Sequence, residues 1–553
     1  MRFLEKMCFI VLASGLALGQ GTAQSSGSNS SGTVSDELKA LREAISEQQK
    51  QISQQQQQIQ TLQQQLQDKA KPQQQPVATV TPRSNDNSAR VVDASLHTTP
   101  VAATTVTQET ERPKESPLSF RIGNTDFTPG GFVDFENVFR TTNTGASITT
   151  PFGTIPFSNT VQGHLTEFRS TGQYSRYNLK ISGKYGENRV TGYIEGDFNG
   201  NDAANVFVTS NPHTNRLRLY WMDLRRGNWE FLGGQTWGLQ TPNRVGLSPN
   251  PADVFVTIGE DAQTHVGLPY TRAAEFRVNY HFSDHFQWAV AVQNPDQFIG
   301  AGLVTLPTAF NAQLTPQLDA ANQTTTADLF PDLHTKMAWD TDAGGRHTHF
   351  ELGGLMTSVK TTAIPVGGTT FQKHTSIGGG FEGAFNVELV KGFRFLANAL
   401  YGDGVGRYLI GFAPQTVIVP IATGPGAFTI DNSLVHSGSG IIGSELTAGK
   451  SQFGFYYGAI YAQRNAFPDI TSTAAVKPII GFGGINSPNT DNRTIQEGTI
   501  DWTQTFWKNP QYGAVLLVTQ TSYVTRAPWF VATGAPKNAH LMMAYVSLKY
   551  VLP

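Results

Sequence analysis

The sequence predicts an all-β transmembrane barrel of about sixteen antiparallel strands, preceded by an α-helical coiled coil and a disordered linker. Three observations predict it. From Ser119 onward, segments of roughly ten residues alternate between apolar and polar side chains. Those segments are joined by tight turns and long loops in alternation. No run anywhere approaches the ~18 apolar residues that a membrane-spanning helix requires.

Composition narrows the classes further. The chain has 553 residues, a formal net charge of −2 and 15% charged residues, with 55 Gly, 34 Phe and 16 Tyr. Charge this balanced gives no basis for a nucleic-acid partner. The first residues read as an address over 1–23. Arg2 and Lys6 form a basic start, Met7 to Leu18 an apolar stretch, and Gly21-Thr22-Ala23 a small-residue cleavage site. The one cysteine, Cys8, lies inside that signal. The mature chain then has no thiol chemistry, no disulfides and no Cys-based metal site.

A heptad segment follows over 35–69. Leu38, Ile45, Ile52, Ile59 and Leu66 recur every seventh residue, and Leu41, Gln48, Gln55 and Leu62 fill the companion position. An a/d seam dominated by Ile at a, with buried Gln fixing register, predicts a trimerising coiled coil. The plain alternative is a solvated Gln-rich tract. It gives no reason for the aliphatic residues to fall in one seam. Residues 70–117 are rich in Pro, Gln, Thr, Val and Ala and lack aromatics, which predicts an extended linker.

The barrel is expected over 118–553. In 176–185, Tyr177, Leu179, Ile181 and Tyr185 oppose Arg176, Asn178, Lys180, Ser182 and Lys184. Phe276, Val278 and Tyr280 oppose Glu275, Arg277 and Asn279 in the same way, and Met542, Val546 and Leu548 oppose Tyr545 and Ser547. A soluble sandwich also alternates, so the connections carry more weight. Tight turns are expected at Gly186-Glu187-Asn188, Arg226-Gly227-Asn228, Ser283-Asp284, Ala343-Gly344-Gly345, Lys391-Gly392, Gly449-Lys450 and Lys508-Asn509-Pro510. Between them lie long segments such as 295–331, 404–437 and 465–492. Short turns on one rim and long loops on the other are the pattern of a membrane barrel. Those hairpins plus one strand at each end (131–139 and 540–552) give sixteen, with both ends of the chain on the periplasmic side.

A barrel of this size needs a loop to narrow it. The segment 238–270 follows the fifth strand and carries Arg244, Asp253, Glu260 and Asp261 among several prolines. It is the expected constriction loop. Inward positions of alternate strands carry Arg176 and Lys180, Arg216 and Arg218, and Arg277. Alternate strands lie roughly 10 Å apart, so these bases form one wall opposite an acidic loop. Such a transverse field orients dipolar and charged solutes, and an excess of exposed Arg favours anions. The plain alternative is that each base pairs with Glu195, Asp197 or Glu275, and for any single residue that reading is preferred.

On these residues the chain resembles the DcaP-like trimeric porin family. The likeness rests on the coiled coil, Arg216-Leu217-Arg218-Leu219-Tyr220, Phe231-Leu232-Gly233-Gly234-Gln235-Thr236-Trp237 and Tyr401-Gly402-Asp403-Gly404-Val405-Gly406-Arg407-Tyr408. The resemblance implies a sixteen-stranded homotrimer that admits small negatively charged organic solutes, with Arg216, Arg218 and Trp237 lining the pore. The terminal Tyr550-Val551-Leu552-Pro553 departs from the final aromatic residue of such barrels.

The expected role is therefore passive diffusion of small polar solutes through the outer membrane, with Trp237, Glu195 and Asp197 completing the pore lining. Lipid surrounds the barrel, and the coil, about 45 Å long at 1.5 Å per residue, reaches toward the cell wall. No cofactor, metal or enzymatic activity is expected. A structural anchor and a barrel-borne hydrolase are the alternatives. His347 and His349 lie beside Glu351, with His334 and Asp340 on the preceding strand, and are read as solvated lumen residues rather than metal ligands. Gly378-Gly379-Gly380 reads as a crowded bend or subunit interface.

Overall fold

The computed structural model describes residues 116–200, 213–250, 265–300, 302–320 and 327–553. The predicted signal, coiled coil and linker lie outside the described residues, as do Asp253, Glu260 and Asp261.

The described chain begins with a short β1 (Phe120–Ile122) folded onto a long β2 (Thr125–Arg140). The next barrel strand comes in two halves, β3 (Glu167–Thr171) and β4 (Arg176–Tyr185), both paired with β2. β5 (Asn188–Asp197) then returns beside β4. Four further hairpins follow: β6 (Arg216–Arg226) with β7 (Trp229–Gln235), β8 (Ala274–His281) with β9 (Phe286–Gln293), β10 (Asp332–Ala343) with β11 (Arg346–Ala363), and β12 (Gln372–Val390) with β13 (Phe393–Asp403). A small separate hairpin, β14 (Thr416–Gly424) and β15 (Ala427–Leu434), interrupts the series. The barrel resumes with β16 (His436–Ala448) and β17 (Ser451–Ala462). A second small pair, β18 (Asn465–Pro468) and β19 (Ile479–Phe482), precedes β20 (Asn492–Asn509), β21 (Gly513–Pro528) and β22 (Ala539–Val551).

β22 pairs antiparallel with β2 from Phe132↔Val551 to Arg140↔Met543, which closes the sheet on itself. Counting β3 and β4 as one strand and leaving out the short β1, the closed barrel has sixteen. The tight turns fall where the sequence places them, all at one end. At 344–345 the reason is local: Gly344 and Gly345 have φ of 61° and 71°, the left-handed pair that a two-residue hairpin turn requires. The Gly-rich run at 378–380 meets its neighbours at close range. A Cβ on Gly379 would sit 2.7 Å from the Leu355 carbonyl oxygen, and one on Gly380 would sit 2.8 Å from that of Tyr401. That crowding fits the bend reading.

Side chains sort in the opposite sense to a soluble protein. Tyr177, Ile194, Met222, Phe276, Trp288, Leu352, Phe381, Phe455, Ile500 and Leu548 are exposed on the outside. Asp134, Glu136, Arg140, Glu195, Arg218, Arg277, Lys336, Glu351, Glu445 and Glu497 are buried within. Burying so many charges inside and exposing so much apolar surface is stable only when hydrocarbon is the outer solvent. The most extensive apolar cluster among the described residues joins the long loops to the strands, and smaller ones lie under the segment after β7. In the largest, Ile148, Phe152, Ile155, Val405, Tyr408, Leu409, Val417 and Phe482 pack against strand residues such as Val138, Val524 and Tyr545.

One departure from strict alternation matters for the interior. Between β5 and β6, Glu195 pairs with Leu219 while Gly196 pairs with Leu217, leaving Arg218 as the extra residue of a β-bulge. A bulge re-aims side chains. Arg218 and Leu219 are both buried on the inner side, and Leu217 and Tyr220 are both exposed outside.

Candidate functional site

The segment after β7 turns into the barrel, and its described parts are fastened at successive points. Thr236 donates to Glu275 at 2.8 Å as the chain leaves the strand. The Asn243 backbone N–H and side-chain amide both donate to Glu351 Oε1, at 2.8 and 3.0 Å. Arg244 grips Glu445 on β16 with two bonds of 2.9 and 2.5 Å. The Gly246 N–H donates to Asp340 Oδ2 at 3.0 Å. Where the description resumes, the Val266 N–H donates to Glu497 Oε2 at 2.9 Å and His265 Nε2 lies 3.0 Å from Thr499 Oγ1. Leu268 is fully buried against Leu396, Ile441 and Tyr456. The loop thus runs from the fifth barrel strand to β10, β11, β16 and β20, as the inward-loop expectation requires. Ordering each residue costs about 1–2 kcal/mol, more than one neutral hydrogen bond contributes. The anchors therefore hold the loop jointly.

Of the five bases expected on the wall, Arg176, Arg216, Arg218 and Arg277 are paired with carboxylates. Arg216 Nε and Nη2 bind the two oxygens of Asp197 at 3.0 and 2.7 Å. Arg218 donates to Glu195 and to Asp197, both at 2.9 Å. Arg176 Nε lies 3.6 Å from Glu195, and Arg277 binds Glu275 at 2.5 Å. Arg218, Arg277 and Trp237 are all buried. Leu219 packs on Trp237, and the guanidiniums of Arg218 and Arg272 lie 6.0 and 5.6 Å from the indole centroid. Lys180 is half-buried on β4.

Exposure is unequal within three of the interior pairs. The side chain of Arg216 is 27% exposed against 1% for Asp197, and Arg176 is 21% exposed against 7% for Glu195. On the loop, Arg244 is 18% exposed against 3% for Glu445. In these three pairs the carboxylate is the more buried partner, whereas Arg218 is more buried than Glu195 and Arg140 more buried than Glu167.

Several interior groups went unread in the sequence. Lys336, buried on β10, lies 3.1 Å from Glu351 and 3.3 Å from Glu382. Arg140, also buried, binds Glu167 at 2.8 Å and Thr150 at 2.9 Å, tying the first long loop to the wall. Alternation alone gives the signal for Lys336, since His334, Lys336 and Ala338 share one face. The solvated reading of the histidines is corrected. His349 is fully buried, 2.7 Å from Asp340 and 3.1 Å from Glu351, because the inward loop lies over it. His334 is buried too and contacts the Tyr408 hydroxyl at 3.2 Å.

A closed sixteen-stranded antiparallel barrel with an apolar exterior, a charged interior and a loop folded across it has the architecture of the outer-membrane porins. Comparison with solved structures agrees. The chain is similar to the outer membrane channel DcaP of Acinetobacter baumannii, with 17% identity over 78% of this chain and 98% of that one and a TM-score of 0.51. It also matches OmpT of Vibrio cholerae, at 9% identity over 78% and 99% of the two chains with a TM-score of 0.39. OprB of Pseudomonas putida matches at 11% identity over 77% and 94%, again with a TM-score of 0.39. No family model and no curated protein matches the sequence. The likeness to DcaP establishes the fold that the sequence motifs had pointed to.

Proposed function

We propose that this protein is a passive outer-membrane porin for small polar solutes, with a preference for anions. The observation that carries the reading is the greater exposure of the cation in three interior ion pairs. Pairing cancels formal charge, but a passing solute meets Arg176, Arg216 and Arg244 before it meets Glu195, Asp197 and Glu445. The field at the constriction is therefore positive where solute travels. The tight-turn end faces the periplasm and the long loops face outward, as in membrane barrels generally. The heptad seam at Leu38, Leu41, Ile45, Ile52, Ile59, Leu62 and Leu66 supports a homotrimer with its coil in the periplasm, beneath a barrel set in lipid.

The test is planar-bilayer conductance and reversal potential in a salt gradient. Conductance in three equal steps per insertion supports the trimer, and a reversal potential on the anion side supports the field. Charge reversal at Arg176 and Arg216, the exposed partners, is expected to move the reversal potential toward cations. A correctly folded barrel without conductance overturns the porin reading.

A further inference from the structure

The β10–β11 hairpin gathers three metal-ligating side chains just before its tight turn. Register pairs Asp340 with His349 and Asp342 with His347, so the two strands present carboxylates opposite imidazoles. Asp340 Oδ1 lies 2.7 Å from His349 Nδ1 and 3.2 Å from His347 Nε2. One donor atom from each of Asp340, His347 and His349 falls within 4.8 Å of the other two. A fourth donor, an oxygen, comes from the inward loop: the carbonyl of Arg244 is 3.1 Å from His347 Nε2. Donors about 2.0–2.1 Å from a tetrahedral ion lie about 3.3 Å apart, close to most of these separations.

The remaining ring nitrogens are occupied in the way a metal site needs. His347 Nδ1 lies 3.2 Å from Asp342, and His349 Nε2 lies 3.1 Å from Glu351. Glu351 is itself fixed by Lys336 and Asn243. In metal centres such outer carboxylates accept the second N–H, fix the tautomer and orient the ring. Every nitrogen of both rings faces an oxygen acceptor. Protons satisfy that arrangement only if both imidazoles are cationic, sharing Asp340 between them with Asp342 and Glu351 on their outer sides. A divalent ion satisfies it with neutral rings, each using its inner nitrogen as a ligand and its outer N–H as a donor.

We propose that Asp340, His347, His349 and the Arg244 carbonyl bind a divalent transition ion of the Zn²⁺ class, which nitrogen and oxygen donors of this kind suit. The ion pins the inward loop to the wall. The site has an access side, since His347 is half-buried while His349 and Asp340 are closed off. The assignment rests on side-chain geometry and is independent of what the channel passes.

The experiment uses the full, tag-free chain in detergent, stripped with a chelator and titrated with Zn²⁺ by calorimetry. One saturable ion per chain is expected. X-ray absorption is expected to show two imidazole nitrogens with oxygen ligands at about 2.0–2.1 Å. His347→Ala and Asp340→Asn should each weaken binding by at least about tenfold. Glu351→Gln should weaken it by about 10–100-fold while leaving the imidazole count unchanged. Heat-dependent gel mobility verifies that each variant forms the barrel. If His347→Ala does not fold, the absorption spectrum of the wild-type protein decides alone. Lack of saturable binding, a spectrum without two imidazoles, or equal affinity in folded His347→Ala and Asp340→Asn overturns the proposal.

Discussion

Arg244 on the inward loop and Glu445 on β16 are 201 residues apart in sequence and form a two-bond fork across the barrel interior. Glu445 also accepts a hydrogen bond from Tyr456 at 2.8 Å, so the acid is held from both sides. A two-bond Arg–carboxylate pair is the strongest directional contact available to a loop. It therefore sets where the loop crosses.

Removing the arginine leaves a buried carboxylate without its cation, which costs about 3–5 kcal/mol. Arg244→Ala is expected to release the loop without opening the barrel. Hydrogen exchange should accelerate at 243–247, and single-channel current should rise and become noisier. Adding Glu445→Gln should recover part of the loss, because the orphaned charge is gone. If the single variant exchanges as slowly as wild type, the fork is not an anchor.

Arg218 makes a contrasting prediction about stability. It is the extra residue of the bulge, it is buried, and it binds both Glu195 and Asp197. Arg218→Met keeps most of the volume but leaves both acids short of a partner. Each acid keeps another arginine, Arg176 or Arg216, so the loss is expected to stay below the roughly 3–5 kcal/mol of a wholly orphaned buried charge, read as an earlier midpoint in denaturant unfolding. Arg216→Met should cost less, since its side chain is partly solvated. Equal midpoints for the two variants would contradict this account.

Two acids in the long connections carry a pH signature. Burial pushes Asp296 up to about 7, with Asp319 adding to the rise and Arg407 opposing it. Burial likewise raises Asp491 to about 7, against a hydrogen bond from the Gly483 N–H. Both groups sit well above the usual carboxylate value of about 3.9. A folded pKa above the unfolded one means that the folded state binds the extra proton between pH ~4 and 7. Their stabilising contribution is complete below pH ~4 and is lost as pH rises through 7. Loops 294–299 and 483–491 should therefore exchange faster at pH 8 than at pH 6, beyond the intrinsic base-catalysed change. Asp296→Asn and Asp491→Asn should remove that excess, each in its own loop.

The strand plan was legible because each hairpin carries its own local code. Gly344-Gly345 and Lys391-Gly392 mark turns, and the alternation around them marks strands. Alternation also told which side chains turn inward, including Arg176, Arg216 and Arg277. It did not tell what covers them. The burial of Arg277 depends on the loop backbone, where the Leu247 carbonyl lies 3.4 Å away. The burial of His349 depends likewise on loop residues more than a hundred positions away. The bulge at Arg218 was also unreadable, because an extra residue in one strand shows only against its partner. The destination of the inward loop was partly encoded by glycines within strands, which signal close backbone approach.

That last feature supports a direct test. Val266 and Gly267 rest on a notch formed by Gly440 of β16 and Gly458 of β17, in neighbouring strands. A Cβ on Gly458 would sit 1.8 Å from the Val266 carbonyl oxygen and 2.9 Å from His265 Nδ1. Backbone there cannot yield while Val266 stays bonded to Glu497 and Leu268 stays buried beside it. Gly458→Ala is thus expected to lift the loop from this wall and leave the barrel intact, since an alanine suits a strand. Full burial of a leucine contributes about 1.5–3 kcal/mol, so displacing Leu268 should make the loop susceptible to proteolysis near 265–270. Ala459→Gly, at the adjacent position, serves as the control and should not do so. A Gly458→Ala protein with wild-type conductance and a protease-resistant loop would show that the notch does not position the loop.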